Sequence, residues 1–354
     1  MIEKSIFNLK KIFLVLGTAC NFNCVYCIEH ENKPRCKKVI HPNVIAWLDE
    51  LSYKLPEALK PTIHFYGGEP LLYKEAIHQV VDQFKDKFNY LIVSNGAYLD
   101  DADVDYFNEN DITFVLSNDG AETSFTRQVD MLKDPAFVER FNRLKHHEVD
   151  AVWCAVTQDL YALYDYVHKV SPDAKVWHED LVTSPDTDER LTKMDEPTIL
   201  RTIKQMGTEF EDSVNGKPQT PGAEDFYSWL QFAINRIKKP AFGNFPNCAC
   251  GWQNLSIDTA WNVYLCKNFN EKIGTIDDSY DDLYEKAKAK VKVLRDENLE
   301  KKGCFDCPAF FFCRGGCPFE KPSERQKEKC VLLRTKWQSV VSFIDNRLTI
   351  EVQK

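Results

Sequence analysis

The sequence has no apolar run that approaches the roughly 18 residues needed to cross a bilayer. We therefore expect a soluble, cytoplasmic chain without membrane contact. A short apolar run, Ile12–Leu16, follows two lysines and precedes Cys20. This arrangement resembles a lipoprotein signal. This run is too short for a signal core of about 7–15 residues, and two more cysteines follow at once, so export is disfavoured.

The chain also lacks an excess of basic residues, because its formal net charge is −9. Without a positive field to attract phosphates, nucleic acid is a poor candidate partner. No internal repeat or low-complexity tract interrupts the pattern. A chain of 354 residues with 44% apolar composition can instead bury a large core, and it favours one large α/β domain with a smaller appendage.

Cysteine, in contrast, is abundant. The chain has 13 cysteines, an odd number that cannot all pair as disulfides. This count favours thiolate ligation of metal in a reducing compartment.

From residue 12 to about residue 182, short apolar runs alternate with amphipathic segments, which is typical of repeated βα units around a parallel sheet. The predicted strands are Ile12–Leu16, Thr62–Tyr66, Tyr90–Ser94, Ile112–Ser117, Ala151–Thr157 and Ala174–His178. The predicted helices between them include Val44–Lys54, Lys74–Phe84, Val138–Lys145 and Leu160–Val170. Six strands predict an α/β fold with a partial (β/α)6 TIM-like barrel, whose chemistry collects where the strands end.

The second half of the chain has a different character. Predicted helices at Pro197–Met206 and Phe226–Ile237 flank a loop, Val214–Gly222, that could serve as a lid or linker. Beyond residue 246 come eight cysteines and no convincing long periodic element, before a closing helix at about Leu332–Leu348. These features predict a barrel over residues 1–225, a bridging helix and linker over 226–246, and a small metal-organised domain over 247–354.

Three cysteines, Cys20, Cys24 and Cys27, form a C-x3-C-x2-C pattern directly after the first predicted strand. Soft thiolates select iron–sulfur clusters or zinc. A structural zinc site needs a fourth ligand, and Cys36 lies nine residues further on in a polar loop. Three ligands on a four-iron cluster would leave one iron open for a substrate or cofactor.

This pattern resembles the radical S-adenosylmethionine (SAM) superfamily, in which the open iron chelates the amino and carboxylate groups of SAM. Tyr26 matches the position that lies against the adenine, and residues 66–70, Tyr-Gly-Gly-Glu-Pro, match the GGEP motif of the family. The resemblance implies that Gly67 and Gly68 let the backbone approach closely, that Glu69 holds the ammonium of the methionine moiety, and that Pro70 completes the motif. Taken singly, the cysteines could form a zinc knuckle and the motif a mere turn.

Two polar turns follow the next strands. The first turn is Ser94–Gly96 and contains Asn95, and the second is Ser117–Gly120 and begins with Ser117. Both resemble the turns that line the SAM ribose and carboxylate in the family. The alternative for each is an ordinary strand-ending turn. Arg127 or Arg140 is a candidate partner of the SAM carboxylate, although most such arginines are simply solvated.

The C-terminal cysteines resemble a SPASM domain, an extension of radical SAM enzymes with two auxiliary four-iron clusters. The resemblance assigns one set of four to an inner cluster and another to an outer cluster. The inner set is Cys248, Cys250, Cys266 and Cys317, and the outer set is Cys304, Cys307, Cys313 and Cys330. The alternative is a zinc-ribbon-like domain. In either case we expect metal to replace a hydrophobic core, since structural metal can supply on the order of 10 kcal/mol of folding free energy.

Two features depart from the SPASM pattern. Trp261 occupies the place of a family glycine five residues before the third auxiliary cysteine, and Cys248 and Cys250 are unusually close together. The inner cluster could therefore keep an open iron. The remaining cysteines are interpreted as structural, with Cys154 a buried apolar residue and Cys36 a loop residue.

The resemblance predicts three [4Fe-4S] clusters, SAM as a cofactor, and a flavodoxin or ferredoxin as electron donor. It also predicts a peptide substrate, because proteins with both modules mostly modify peptides. The first hypothesis is therefore maturation of a ribosomally made peptide by crosslinking or other oxidation of a side chain. The chain begins about eleven residues before its first predicted strand, so we expect no fused leader-binding domain. The peptide would then bind at the barrel mouth, at residues 214–222 or through a separate leader-binding protein.

Two other hypotheses remain open. A sulfatase maturase that oxidises Ser or Cys to formylglycine would carry an aspartate base after the third auxiliary cysteine, where this chain has Lys267. A non-enzymatic electron carrier or zinc-organised interaction protein would explain the cysteines but not residues 66–70.

Overall fold

The computed structural model describes residues 9–28, 39–56, 59–238 and 253–352, with side chains described up to residue 346. The first part of the chain forms six strands, each followed by helical segments, as the alternating pattern predicts. The strands are β1 Lys11–Gly17, β2 Thr62–Gly67, β3 Asn89–Ser94, β4 Thr113–Ser117, β5 His147–Trp153 and β6 Lys175–Asp180. The helices are α1 Pro42–Lys54, α2 Lys74–Phe84, α3 Asp101–Glu109, α4 Thr123–Thr126, α5 Pro135–Arg143 and α6 Leu160–His168.

The remaining chain adds three strands and five helices within the described residues. In order they are α7 Glu196–Val214, α8 Pro221–Lys238, β7 Asn254–Asp258, β8 Asn262–Cys266, β9 Phe269–Thr275, α9 Tyr280–Leu299, α10 Phe310–Cys313 and α11 Glu324–Val352. The loop between α7 and α8 covers residues 215–220 and is shorter than the predicted Val214–Gly222, because Val214 ends α7 and Pro221 begins α8. No helix in the described ranges is long and apolar enough to span a bilayer.

All nine strands belong to one sheet with the order β6-β5-β4-β3-β2-β1-β7-β8-β9. The strands from β6 through β1 to β7 run parallel, and β8 and β9 continue antiparallel. Since carboxyl ends of parallel strands share one edge, the segments that follow β1, β2, β4 and β5 are brought together there.

Helix starts are defined by short polar side chains that accept backbone N–H bonds. Asp100 and Asp103 form a reciprocal capping box at α3. Other caps are Asp134 at α5, Asp159 at α6, Asp195 at α7 and Ser279 at α9. Such caps satisfy N–H groups that have no partner within the helix.

The position of β5 differs from the prediction of Ala151–Thr157. The strand begins four residues earlier, at His147, and residues 155–157 form a 3-10 turn. Its buried residues alternate as Val149, Ala151 and Trp153, while Glu148 and Asp150 occupy the opposite face. The apolar run therefore misled the prediction, because one face of this strand is polar.

Helix α9 corrects the expectation that no long periodic element lies among the C-terminal cysteines. It has 20 residues and buries Tyr280, Leu283, Ala287 and Val291 at helical spacing. Its residues 286–293 read Lys-Ala-Lys-Ala-Lys-Val-Lys-Val, a period-2 pattern that masks the helical period.

The C-terminal part also has an apolar core, so the expectation that metal replaces one is wrong. Leu255, Val263, Leu332 and Trp337 belong to the same buried cluster as Ile12 of the barrel. Burial of each such side chain contributes roughly 1.5–3 kcal/mol. Apolar contacts therefore connect the two parts of the chain.

Candidate functional site

A cavity of about 230 Å³ opens where β1, β2, β4 and β5 end. Nine of the residues predicted from the motifs line it, namely Cys20, Cys24, Tyr26, Cys27, Gly67, Gly68, Glu69, Asn95 and Ser117. Pro70 is buried and begins the 3-10 turn Pro70–Tyr73 that follows the motif. The structure thus brings the two motifs into one site.

The cysteine loop is held in place by its own backbone and by the segment after β4. The Cys27 N–H donates to the Cys24 carbonyl at 3.1 Å, and the Val25 N–H donates to the Thr126 carbonyl at 2.9 Å. Burial raises the pKa of the Cys24 thiol to about 11, with Arg127 opposing the rise and the neighbouring Cys27 and Cys20 adding to it. Three sulfur donors facing one cavity fit an iron–sulfur cluster by their chemistry.

Gly67 and Gly68 allow the ends of β1 and β2 to touch. Gly67 has φ +141°, and a Cβ there would lie 2.1 Å from the Gly17 carbonyl oxygen. A Cβ on Gly68 would lie 2.3 Å from the carbonyl oxygen of Ala19. The close approach predicted for these glycines is therefore made to the chain that leads into Cys20.

Replacing Gly68 with alanine is expected to weaken SAM binding by about 10–100-fold, because the added methyl group pushes the backbone before Cys20 out of place. Overpacking should also lower the free energy of unfolding by about 1–3 kcal/mol. Calorimetric titration with SAM and urea denaturation measure the two effects.

The control is Gly216→Ala. Gly216 also has a positive φ, of +91°, but nothing lies within 4 Å of its added Cβ. The Gly216→Ala variant should lose stability without losing SAM affinity. Equal SAM affinity in Gly68→Ala and the wild type would contradict the assigned role.

Glu69 is almost fully buried, and its carboxylate is anchored by the neighbouring turn. Its Oε1 accepts from the Leu71 N–H at 2.9 Å and from Ser94 Oγ at 2.8 Å, and its Oε2 accepts from the Asn95 N–H at 2.8 Å. Burial raises the pKa of Glu69, while these three bonds lower it. Since each carboxylate oxygen has two lone pairs, Oε2 keeps capacity for a donor in the cavity.

Asn95 connects the end of β3 to the cysteine loop. Its Nδ2 donates to Asn21 Oδ1 at 2.8 Å and approaches Cys20 Sγ at 3.8 Å. This residue is therefore more than the ordinary strand-ending turn that the sequence left open. Ser117, at the end of β4, is half-buried in the cavity wall.

Asp119 organises the wall beyond Ser117. It accepts from Tyr26 Oη, from Thr126 Oγ1 at 2.6 Å, from Arg127 Nε at 2.9 Å and from the Val152 N–H at 2.9 Å. Burial lowers the pKa of Arg127, but the Asp119 carboxylate more than offsets this, so the pKa lies above its ordinary value. Arg127 also lies 5.3 Å from the centre of the Tyr26 ring.

Of the two arginine candidates, the structure therefore brings Arg127 to the cavity. Arg140 does not line it and lies on α5.

The cavity also carries polar residues that the sequence analysis did not select as site residues: His64, Asp150 and Glu179. His64 lies on β2 and Asp150 on β5, where polar residues alternate with buried apolar ones, and Glu179 lies on β6. That alternation was the sequence signal for His64 and Asp150, and the wrong strand boundary hid it for Asp150.

Lys267, the residue directly after Cys266, also lines the cavity. Its Nζ lies 3.7 Å from Glu179 Oε1, and 4.4 Å from the centre of the Tyr66 ring. Burial lowers the pKa of Lys267, but Glu179 and other negative neighbours raise it above its ordinary value. Lys267 is therefore a cation held against an aromatic ring.

A second cavity, of about 280 Å³, lies in the C-terminal part. All four cysteines predicted for the outer cluster line it: Cys304, Cys307, Cys313 and Cys330. Cys330 Sγ accepts from Gln326 Nε2 at 2.8 Å. Burial raises the pKa of Cys304 to about 11 and that of Cys313 to about 12. The donor set suits a cluster held by four thiolates.

Only two cysteines of the inner set lie in the described part of the chain. Cys248 and Cys250 fall outside the described residues, and Cys266 and Cys317 do not line the C-terminal cavity. Within the described ranges, no three Cys, His, Asp or Glu side chains are arranged to hold a single metal ion. The features that favour clusters are therefore the thiol donors and the two cavities that these thiols line.

Trp261, the departure from the SPASM glycine, has φ +60° in the turn between β7 and β8. This is the left-handed conformation that glycine adopts without steric cost. Its ring lies 4.0 Å from that of His41. The position thus retains a glycine-like backbone although its side chain differs.

Residues 14–152 match the radical SAM superfamily. The curated radical SAM cyclopropyl synthase TigE from Paramaledivibacter caminithermalis is 29% identical over 133 residues, which are 33% of this chain and 28% of that protein. An uncharacterized protein of Methanocaldococcus jannaschii is 29% identical over 120 residues, 32% of this chain and 40% of that protein. The chain thus spans well under half the length of either curated relative.

Two solved structures are similar over most of the chain. The structure of anSMEcpe with bound AdoMet and the Cp18Cys peptide has a TM-score of 0.69 at 18% identity, covering 97% of this chain and 98% of that one. Streptococcus suis SuiB bound to the precursor peptide SuiA has a TM-score of 0.59 at 13% identity, covering 90% of this chain and 76% of that one. At these identities the likeness bears on the fold, and it confirms the predicted α/β partial barrel with its C-terminal extension.

Proposed function

We propose that this chain, in which residues 14–152 form a radical SAM domain, cleaves SAM reductively and oxidises a side chain of a peptide. The radical SAM prediction made from the motifs is confirmed by the family match. One observation carries the proposal. The three cysteines after β1 share a cavity with Glu69, the paired glycines and Arg127, and a cluster held there would face all of them.

Cys20, Cys24 and Cys27 would hold the first [4Fe-4S] cluster. When bound, that cluster supplies the electron that splits SAM into methionine and a 5′-deoxyadenosyl radical. Oε2 of Glu69 would accept from the SAM ammonium, and Tyr26 would lie along the adenine. The Asp119–Arg127 pair would fix Tyr26 and present a cationic edge to the SAM carboxylate.

The auxiliary clusters are part of the proposal. Cys304, Cys307, Cys313 and Cys330 would hold the outer one, which their common cavity supports. Cys248, Cys250, Cys266 and Cys317 remain the proposed ligands of the inner one. We also propose the divisions at residues 225 and 246, a cytoplasmic location, a flavodoxin or ferredoxin as electron donor, and a separate leader-binding protein.

Side-chain crosslinking of a ribosomally made peptide is the specific reaction proposed. The similar solved structures support a peptide substrate, since SuiB and anSMEcpe were solved with peptides bound. Formylglycine formation is less favoured, because Lys267 stands where sulfatase maturases place an aspartate base and is paired with Glu179.

The test has two parts. Anaerobically reconstituted protein should release 5′-deoxyadenosine from SAM in the presence of dithionite. A candidate precursor peptide, co-expressed with this protein, should lose the mass of two hydrogens, with fragment spectra that show a crosslink. An electron carrier would release no 5′-deoxyadenosine, and a sulfatase maturase would modify a sulfatase peptide instead.

A further inference from the structure

The substrate-facing side of the first cavity has a polar floor. The strand register places His64 of β2 beside Phe13 of β1, and the two rings lie 4.7 Å apart. The register also places Asp150 of β5 beside Ser117 of β4. His64 and Asp150 therefore lie on the interior face of the barrel and line the cavity together with Lys267.

Two groups on this floor have unused hydrogen-bonding atoms. Oδ1 of Asp150 and both ring nitrogens of His64 are shielded from solvent and have no hydrogen-bond partner within the described parts of the chain. Leaving a buried polar atom without a partner costs about 1–3 kcal/mol. Such atoms facing a cavity indicate a ligand that supplies the missing partners.

The other shielded carboxylates of the cavity already have partners. Glu69 accepts from the Leu71 N–H of its own turn and from Ser94 Oγ and the Asn95 N–H at the end of β3, and its remaining capacity is assigned to the SAM ammonium. Asp119 binds Arg127 and Tyr26. Lys267 is a cation paired with Glu179, so it cannot accept a proton. Among the described residues that line the cavity, Asp150 is a shielded carboxyl group whose Oδ1 has no hydrogen-bond partner.

The surroundings of Asp150 suit proton transfer near neutral pH. Burial raises the pKa of Asp150 to about 8, and the Glu179 carboxylate adds to this rise, while Lys267 and Arg127 oppose it. A general base works best when its pKa lies near the working pH.

We infer that Asp150 is the catalytic base of the proposed reaction, accepting the proton that leaves the peptide residue under oxidation, in a subsite whose floor includes His64. This inference rests on the proposed function. A two-electron oxidation removes two hydrogens from the peptide. One leaves as a hydrogen atom and forms a C–H bond of 5′-deoxyadenosine, and the other leaves as a proton to Asp150 Oδ1. The remaining electron passes to a one-electron acceptor of the iron–sulfur class.

The test compares Asp150→Asn with Glu148→Gln. Glu148 lies two residues earlier on the same face of β5, does not line the cavity, and accepts from Trp177 Nε1 at 2.7 Å. Asp150→Asn should keep SAM affinity and dithionite-driven release of 5′-deoxyadenosine within about twofold of wild type. Its modification of the co-expressed precursor peptide should fall about 100–10,000-fold. Glu148→Gln should modify that peptide like the wild type.

The pH profile gives a second readout. The charged or titratable groups that face Asp150 are Glu179 from β6, Asp119 and Arg127 after β4, Lys267 after β8 and His64 from β2. Peptide modification should rise with pH as Asp150 loses its proton. Glu179→Gln removes a charge that raises the Asp150 pKa, so this rise should move to lower pH, and Asp150→Asn should lack it.

Each other outcome is decisive. Loss of SAM affinity in folded Asp150→Asn protein, judged by its thermal unfolding, would make Asp150 a SAM ligand and overturn the inference. Unchanged peptide modification in Asp150→Asn would also overturn it. If wild-type protein releases no 5′-deoxyadenosine or modifies no peptide, the proposed function itself fails, and the inference with it.

Discussion

Replacing Cys24 with alanine is expected to reduce the release of 5′-deoxyadenosine to background while the fold survives. Cys24 lines the first cavity between two other thiols, and it does not belong to the buried apolar clusters of the chain. Removing one of three thiolates should release the cluster, whereas the barrel core keeps its contacts. Chromatographic measurement of 5′-deoxyadenosine, iron and sulfide content, and circular dichroism test these expectations.

The matched control is Cys154→Ala, which removes a thiol elsewhere. Cys154 is fully buried in a small apolar cluster with Leu181 and Leu191, as the sequence predicted, and it does not line either cavity. This variant should lose about 1 kcal/mol of stability and keep SAM cleavage. Cys24→Ala protein with wild-type iron content and SAM cleavage would refute the assignment of the first cluster.

Replacing Glu320 with alanine is expected to lower the free energy of unfolding by about 3–5 kcal/mol, because it leaves a buried charge without its partner. Oε1 of Glu320 accepts from Lys329 Nζ at 2.6 Å, from Thr183 Oγ1 at 2.7 Å and from the Thr183 N–H at 2.9 Å. Lys302 Nζ lies 4.0 Å from Oε2. Side chains of Glu320, Lys302 and Lys329 are at most 3% exposed.

Both lysines depend on this carboxylate. Burial lowers the pKa of Lys329, but Glu320 more than offsets this, so the pKa lies above its ordinary value. Lys329 also donates to the Leu181 carbonyl at 2.9 Å, and Lys302 donates to the Cys317 carbonyl at 3.2 Å. Glu320 therefore links the loop after β6, which lines the first cavity, to the wall of the C-terminal cavity.

Urea denaturation of the reconstituted protein measures the effect. The control is Glu189→Ala, since Glu189 is 52% exposed and pairs with Lys193 at 2.9 Å. An exposed pair of this kind contributes little to folding, because water screens the attraction. Equal midpoints for the two variants would show that the Glu320 network contributes little to folding.

The βα pattern predicted the barrel well where strand faces are apolar. Helix α2 has the predicted bounds, Lys74–Phe84, and β1 to β3 agree within one residue at each end. The prediction failed at β5, whose interior face carries Glu148 and Asp150. A strand that lines a catalytic cavity carries polar residues on one face. A search for apolar runs then misplaces the ends of that strand.

The site was predictable to the extent that it follows strand ends. Two motifs on neighbouring parallel strands must meet at one edge, so Cys24 and Glu69 could be assigned to one cavity from sequence. Contacts such as Thr183 with Glu320, 137 residues apart, have no local signal. The same holds for the pairing of Lys267 with Glu179, which gives the cavity its charge balance.

β1 has β2 on one side and β7 on the other, so the strand that leads into the three cysteines is an interior strand of the sheet. A chain that stopped before β7 would turn β1 into a bare edge with unpaired N–H and C=O groups, a template for aggregation. Expression of the barrel alone is therefore a poor route to a smaller catalyst, whatever the auxiliary cysteines contribute to turnover.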